Sequence, residues 1–193
     1  DDAFSELDEA LAQRRDLLKL KDIRIDSLKA ELENAENYKA EISAIESLID
    51  EYAHYDVDSL KRYFSKAIAL SSFYGDSVAA RRFWLAEIEH MPVRGEIREA
   101  FMRIDSVRVN DLEEEDKILF FEAARWASLY TTSIYSPHKL HRGYFSKYGE
   151  YNDSLMARTD VSSPRYRLLA GSHYLAKGQV SLAIAALNDY IEN

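Results

Sequence analysis

Cysteine is absent from this 193-residue chain, which rules out a disulfide framework, thiolate catalysis and thiolate metal ligands. Three prolines and six glycines leave few places for the tight turns that strands need. No run approaches the ~18 consecutive apolar residues of a membrane-spanning helix. Positive charge is also in deficit: 25 Lys and Arg face 34 Asp and Glu, for a net charge of −9. Nucleic-acid binding draws on clustered basic residues, so a phosphate-binding face is not expected. With so few glycines there is no phosphate-cradling loop, and no Gly-x-Ser-x-Gly elbow occurs. Scattered Ser, His and Asp show no spacing that gathers a nucleophile with a base.

What remains is rich in Ala, Leu, Glu, Lys and Arg and 47% hydrophobic, ample for an all-helical protein with a continuous core. Phe4, Leu7, Leu11, Leu18, Ile25, Leu28 and Leu32 follow a three-and-four spacing interrupted by Arg14 and Lys21. This predicts one long helix over 1–34, ~45 Å at 1.5 Å per residue, packed along its own chain or, alternatively, in an intermolecular coiled coil. Four antiparallel helical hairpins are expected to follow within a single domain, at about 36–74, 76–107, 112–158 and 163–192. The helix in YDVDSLKRYFSKAIALSSFYGD reads as opening at Asp58 and stopping at Gly75.

The hairpins share a register. Gly95, Ala100 and Ile104 stand at offsets of five and four, Gly178, Ala183 and Leu187 repeat them, and Tyr55, Leu60 and Phe64 keep them with bulkier residues. Gly171 and Tyr174 precede the last trio, so G-x-x-Y is followed by a turn glycine and A-x-x-x-L. That pattern resembles the tetratricopeptide repeat, with Trp84 at the repeat's tryptophan and Phe64 at its later aromatic; the third hairpin matches poorly and Arg167 replaces the aromatic in the last. The resemblance implies an all-α, tetratricopeptide-like α-solenoid whose curved surface binds a protein or peptide.

Two further stretches, LDEALAQRRDLLKLKDIRIDSLK at 7–29 and YDVDSLKRYFSKAIAL at 55–70, look like the extracytoplasmic N-terminal halves of bacterial membrane-anchored regulators. This resemblance implies a periplasmic or other extracytoplasmic sensor or interaction module, with transcriptional control belonging to a longer parent. The opening Asp1-Asp2-Ala3, without an initiator Met, fits a removed signal peptide, and an artificial boundary would read the same. An intracellular tetratricopeptide scaffold is the alternative, and a helical metalloprotein the third possibility.

Arg81, Arg82, Arg125, Arg165 and Arg167 fall on the first helices of the last three hairpins, which line the concave side in tetratricopeptide arrays. Paired arginines could grip the carboxylates of an acidic peptide, or could be spent on the chain's own acids. Glu51 and His54, and again Glu87 and His90, spell Glu-x-x-His, the paired motif of di-iron bundles. Both histidines are expected at helix ends, where imidazolium favours the carbonyl end of the dipole, so no metal and no cofactor is expected. His138 and His141 lack a third ligand nearby, and Glu113-Glu114-Glu115-Asp116 reads as a solvated helix start. Most of the thirteen tyrosines read as packing. Finally, Val180, Leu182, Ala183, Ile184, Ala186, Leu187, Tyr190 and Ile191 are too many apolar residues for one buried face. The array is therefore expected to continue past Asn193, and this end, left uncovered, either to self-associate or to leave the last helix frayed.

Overall fold

The computed structural model describes residues 2–53, 55–134 and 140–192, with side-chain surroundings over 14–53, 55–134 and 142–191. Among these residues there is no strand. Nine helices occur: α1 (Asp2–Glu33), α2 (Tyr38–Tyr52), α3 (Val57–Phe73), α4 (Ser77–His90), α5 (Ile97–Ser106), α6 (Glu114–Ile134), α7 (Leu140–Met156), α8 (Pro164–Ala176) and α9 (Val180–Glu192). None of them is long and apolar enough to cross a membrane. The chain divides into two compact units, Asp1–Arg81 and Arg82–Asn193.

Local chemistry sets the helix ends. Asn37 caps α2 by accepting from the Ala40 amide, and Asp56 caps α3 by accepting from the amides of Asp58 and Ser59. The helix thus opens at Val57, one residue before Asp58, because the side chain of its N-cap Asp56 reaches the first orphan donors. Ser163 caps α8 with Pro164 in its first turn. Gly95 and Gly178 sit at φ +81° and +71°, the left-handed conformation that lets the chain reverse between helices.

In the first unit, α1 packs on α2 through buried Ile25, while Lys21 and Arg24 both pair with Glu51. This seam lies within the unit over that stretch, so the intramolecular alternative holds there; the side chains of Phe4, Leu7 and Leu11 lie outside the described residues. Leu17, Leu20 and Ile23 face solvent. Between α2 and α3, Ile45, Leu48, Leu60, Phe64 and Ala67 are sealed from water, and Tyr52 stacks on Tyr63 at 5.5 Å.

In the second unit the core gathers Leu85 and Ile88 of α4, Ile104 of α5, Phe120, Ala124 and Ala127 of α6, Leu155 of α7 and Leu169 of α8. Asn152 of α7 donates from its buried amide to the Leu169 carbonyl at 2.9 Å, tying α7 to α8. The shared register has a physical basis here. Ala100 and Ala183 are buried, and a Cβ added at Gly171 would lie 2.7 Å from the Leu187 side chain. Small residues on one helix therefore admit the leucine of the next. Val180, Ile184 and Ile191, spaced at four and seven, share one exposed side of α9, and Leu182, two residues from Val180, is half exposed on another.

Candidate interaction face

Three helices of the second unit, α4, α6 and α8, carry a linked set of charged and aromatic side chains. Arg82 and Glu89 are seven residues apart on α4, two turns along one face. Arg82 donates from Nε to Asp116 at 3.1 Å and pairs with Glu115 through Nη2, both at the start of α6. Asp116 is only 1% exposed, so the acidic run is not simply a solvated helix start; burial beside an arginine gives one of its members a packing role.

Two turns further along α6, Glu122 accepts from Arg125 Nη2 at 2.8 Å and from Trp126 Nε1 at 3.0 Å. Its other oxygen accepts from Arg165 Nη2 of α8 at 2.9 Å. Burial pushes the Glu122 carboxyl upward, but the hydrogen bond and charge of Arg125, with the charge of Arg165, outweigh it and hold the group below the usual carboxylate range. The Arg125 guanidinium lies 4.5 Å from the Trp126 ring centre and 5.8 Å from that of Tyr148, and Trp126 stacks on Tyr130 at 5.9 Å. Arg125 is almost wholly buried, with Nε left without an acceptor.

Glu89 differs from its neighbours. It is partly buried and has no hydrogen-bond or ion-pair partner among the described residues. Burial, then the nearby charge of Glu122, pushes its carboxyl up to about 7, against a smaller pull from Arg125. Burial and the Glu89 charge together raise the Tyr130 hydroxyl.

Of the five arginines singled out in the sequence, Arg125 and Arg165 meet on one carboxylate, and Arg82 stands on the same face of α4 as Glu89. Arg167 turns to the other side of α8, donating to Asp189 of α9 at 2.7 Å; two residues of helix place it far around from Arg165. Arg81 is partly buried on α4 within the first unit. Sequence reasoning passed over Glu89, Glu122, Trp126 and Tyr130. The spacing of Glu122 to Arg125 and Trp126 at three and four, and of Trp126 to Tyr130 at four, was the available signal.

The Glu-x-x-His motifs resolve differently. Glu87 is buried and each of its oxygens accepts from an arginine, Arg94 at 2.9 Å and Arg103 at 2.8 Å. Arg94 also holds Glu96, at 2.7 Å, and Arg103 lies over Trp84. The carboxylate is thus committed to a salt-bridge network, and His90 ends α4. Glu51 is held by Lys21 and Arg24, whereas His54 and His138 lie outside the described residues, as does the side chain of His141. No three His, Asp or Glu side chains among the described residues gather as a metal ion would require. A separate cleft of about 550 Å³ between α7 and α8 is lined by Arg142, Phe145, Glu150, Asp153, His173 and Lys177, with His173 paired to Asp153.

Comparison with curated proteins and with solved structures returned no match. The family model described as the SusR N-terminal TPR domain matches residues 11–193, nearly the whole chain. Helix pairs closed by left-handed glycines and packed through small residues are what that tetratricopeptide assignment requires, and the chain belongs to the SusR N-terminal TPR domain family.

Proposed function

We propose that the chain is a protein- or peptide-binding module, the sensing or interaction part of a bacterial membrane-anchored regulator, working on the extracytoplasmic side. The observation that carries this proposal is the α4, α6 and α8 face, where Trp126, Tyr130, Arg125 and Arg165 stand together. Trp, Tyr and Arg are the residue types that dominate binding energy at protein interfaces. The likeness of 7–29 and 55–70 to extracytoplasmic halves of such regulators supports the compartment, and an intracellular scaffold would use the same face.

A photo-reactive benzophenone side chain placed at Tyr130 of the full-length protein, in its own cells, tests both points. A covalent adduct to another protein is expected, with no such adduct from the same group at exposed Met102 of α5. External protease should digest the adduct in spheroplasts. Equal labelling from both positions would sink the face, and protection from protease would favour the intracellular scaffold.

A second contact is proposed at the exposed side of α9 where Val180, Ile184 and Ile191 can bury apolar area against a second copy of the chain. Sedimentation of the 193-residue chain should show concentration-dependent dimers that Ile184→Glu abolishes. A monomer at every concentration, or dimers unaffected by the substitution, would rule this contact out.

A further inference from the structure

The interaction face is unevenly satisfied, and the imbalance identifies the chemistry of its ligand. Its arginines have carboxylate partners, although the buried Nε of Arg125 stays without an acceptor: Arg82 holds Asp116 and Glu115, and Arg125 and Arg165 share Glu122. An acidic peptide would have to displace these intramolecular carboxylates, one of them almost completely buried. Glu122 is also fully engaged, with three donors on its two oxygens.

Glu89 has no hydrogen-bond or ion-pair partner among the described residues. A carboxylate held partly out of water without a donor is costly, and the cost is removed either by a proton or by an incoming cation. The groups that face it from α6 are Glu122, Arg125 and Tyr130, and His90 follows it on α4. Glu122 repels the Glu89 carboxylate more than Arg125 attracts it, which adds to the effect of burial. Beside them the stacked Trp126 and Tyr130 rings offer faces on which an aliphatic stem and a cationic head both bind well. The chain's net charge of −9 draws the same kind of ligand from a distance.

We infer that Glu89 is the subsite for a positively charged side chain of the bound partner, a lysine or arginine whose stem lies along Trp126 and Tyr130, and that the partner segment is basic rather than acidic. This rests on the proposal that the α4, α6 and α8 face binds a partner. Because the proton and the cation compete for one carboxylate that titrates near neutrality, binding should release a proton and strengthen as pH rises.

The test uses N-acetyl-lysine methylamide as the probe and follows the Trp126 indole N–H by NMR; Trp84 is the only other indole. A saturable shift of the Trp126 resonance is expected, with apparent affinity about tenfold higher at pH 8 than at pH 6. Glu89→Gln should abolish both the binding and its pH dependence while leaving the melting temperature equal to or above that of the wild type, and N-acetyl-glutamate methylamide should give no shift. No response to the lysine probe, an unchanged response in Glu89→Gln, or a stronger response to the glutamate probe would overturn the inference. The outcomes separate cleanly: an adduct at Tyr130 without lysine binding sinks the basic-ligand subsite alone, whereas loss of the adduct sinks the face itself.

Discussion

Glu87→Ala is expected to destabilise the folded chain by about 3–5 kcal/mol, because it removes a buried carboxylate shared by two arginines, one of them buried itself. Glu87 is 4% exposed and is the acceptor for two arginines reaching it from different segments, Arg94 in the turn after α4 and Arg103 on α5. The Arg94 side chain is itself 4% exposed and already has one buried nitrogen, Nη1, without a partner. Removing the carboxylate leaves Arg94 with Glu96 and deprives Arg103 of the only carboxylate it meets among the described residues. The network also joins the end of α4 to α5, so its loss should loosen that hairpin in particular. Glu87→Gln keeps the volume and one acceptor and should cost less. Urea unfolding at pH 7 decides the matter: a loss under about 1 kcal/mol in Glu87→Ala would mean that the pair behaves as an exposed salt bridge.

Glu89 should produce the opposite sign. Its carboxyl titrates near 4.5 when unfolded and at about 7 in the fold, so between those values the folded chain holds the proton that the unfolded chain has lost. Stability therefore falls as pH rises through that window, by about 3 kcal/mol in all, and is fully retained only below it. Glu122 works the other way: its depressed value stabilises the fold above the ordinary carboxylate range and is lost in acid, below the Glu89 window. Glu89→Gln should match the wild type near pH 4.5 and exceed it in stability at pH 8. Denaturant curves for both proteins across that range give the difference directly, and a difference that stays flat with pH would show that Glu89 is not held out of water.

Much of the architecture was legible because it is written in neighbouring residues. Helix phase is a three-and-four spacing, helix stops are marked by Gly75, Gly95 and Gly178, and close approach by Ala100, Gly171 and Ala183; the caps Asn37, Asp56 and Ser163 emerged only with the fold. Spacing, stops and small residues are each properties of a short window, and periodicity survives even where individual repeats drift. The opening of α3, read at Asp58, is set by Asp56, whose side chain meets the Asp58 and Ser59 amides.

The charged face was legible only in outline. Arginines on first helices could be picked out, but not their partners. Arg82 finds Asp116 34 positions away, Arg165 finds Glu122 43 positions away, and Arg167 leaves the face for Asp189. Which acid an arginine meets depends on the angle and offset at which two helices pack, and those follow from core volumes summed over many residues. By itself the sequence determined an all-α array of tetratricopeptide-like hairpins, since periodicity, turn glycines and small-residue registers act locally. Only the tertiary structure decided that Glu87 is bound by two arginines and Glu89 by none, because burial and charge pairing exist only once helices distant in sequence have come together.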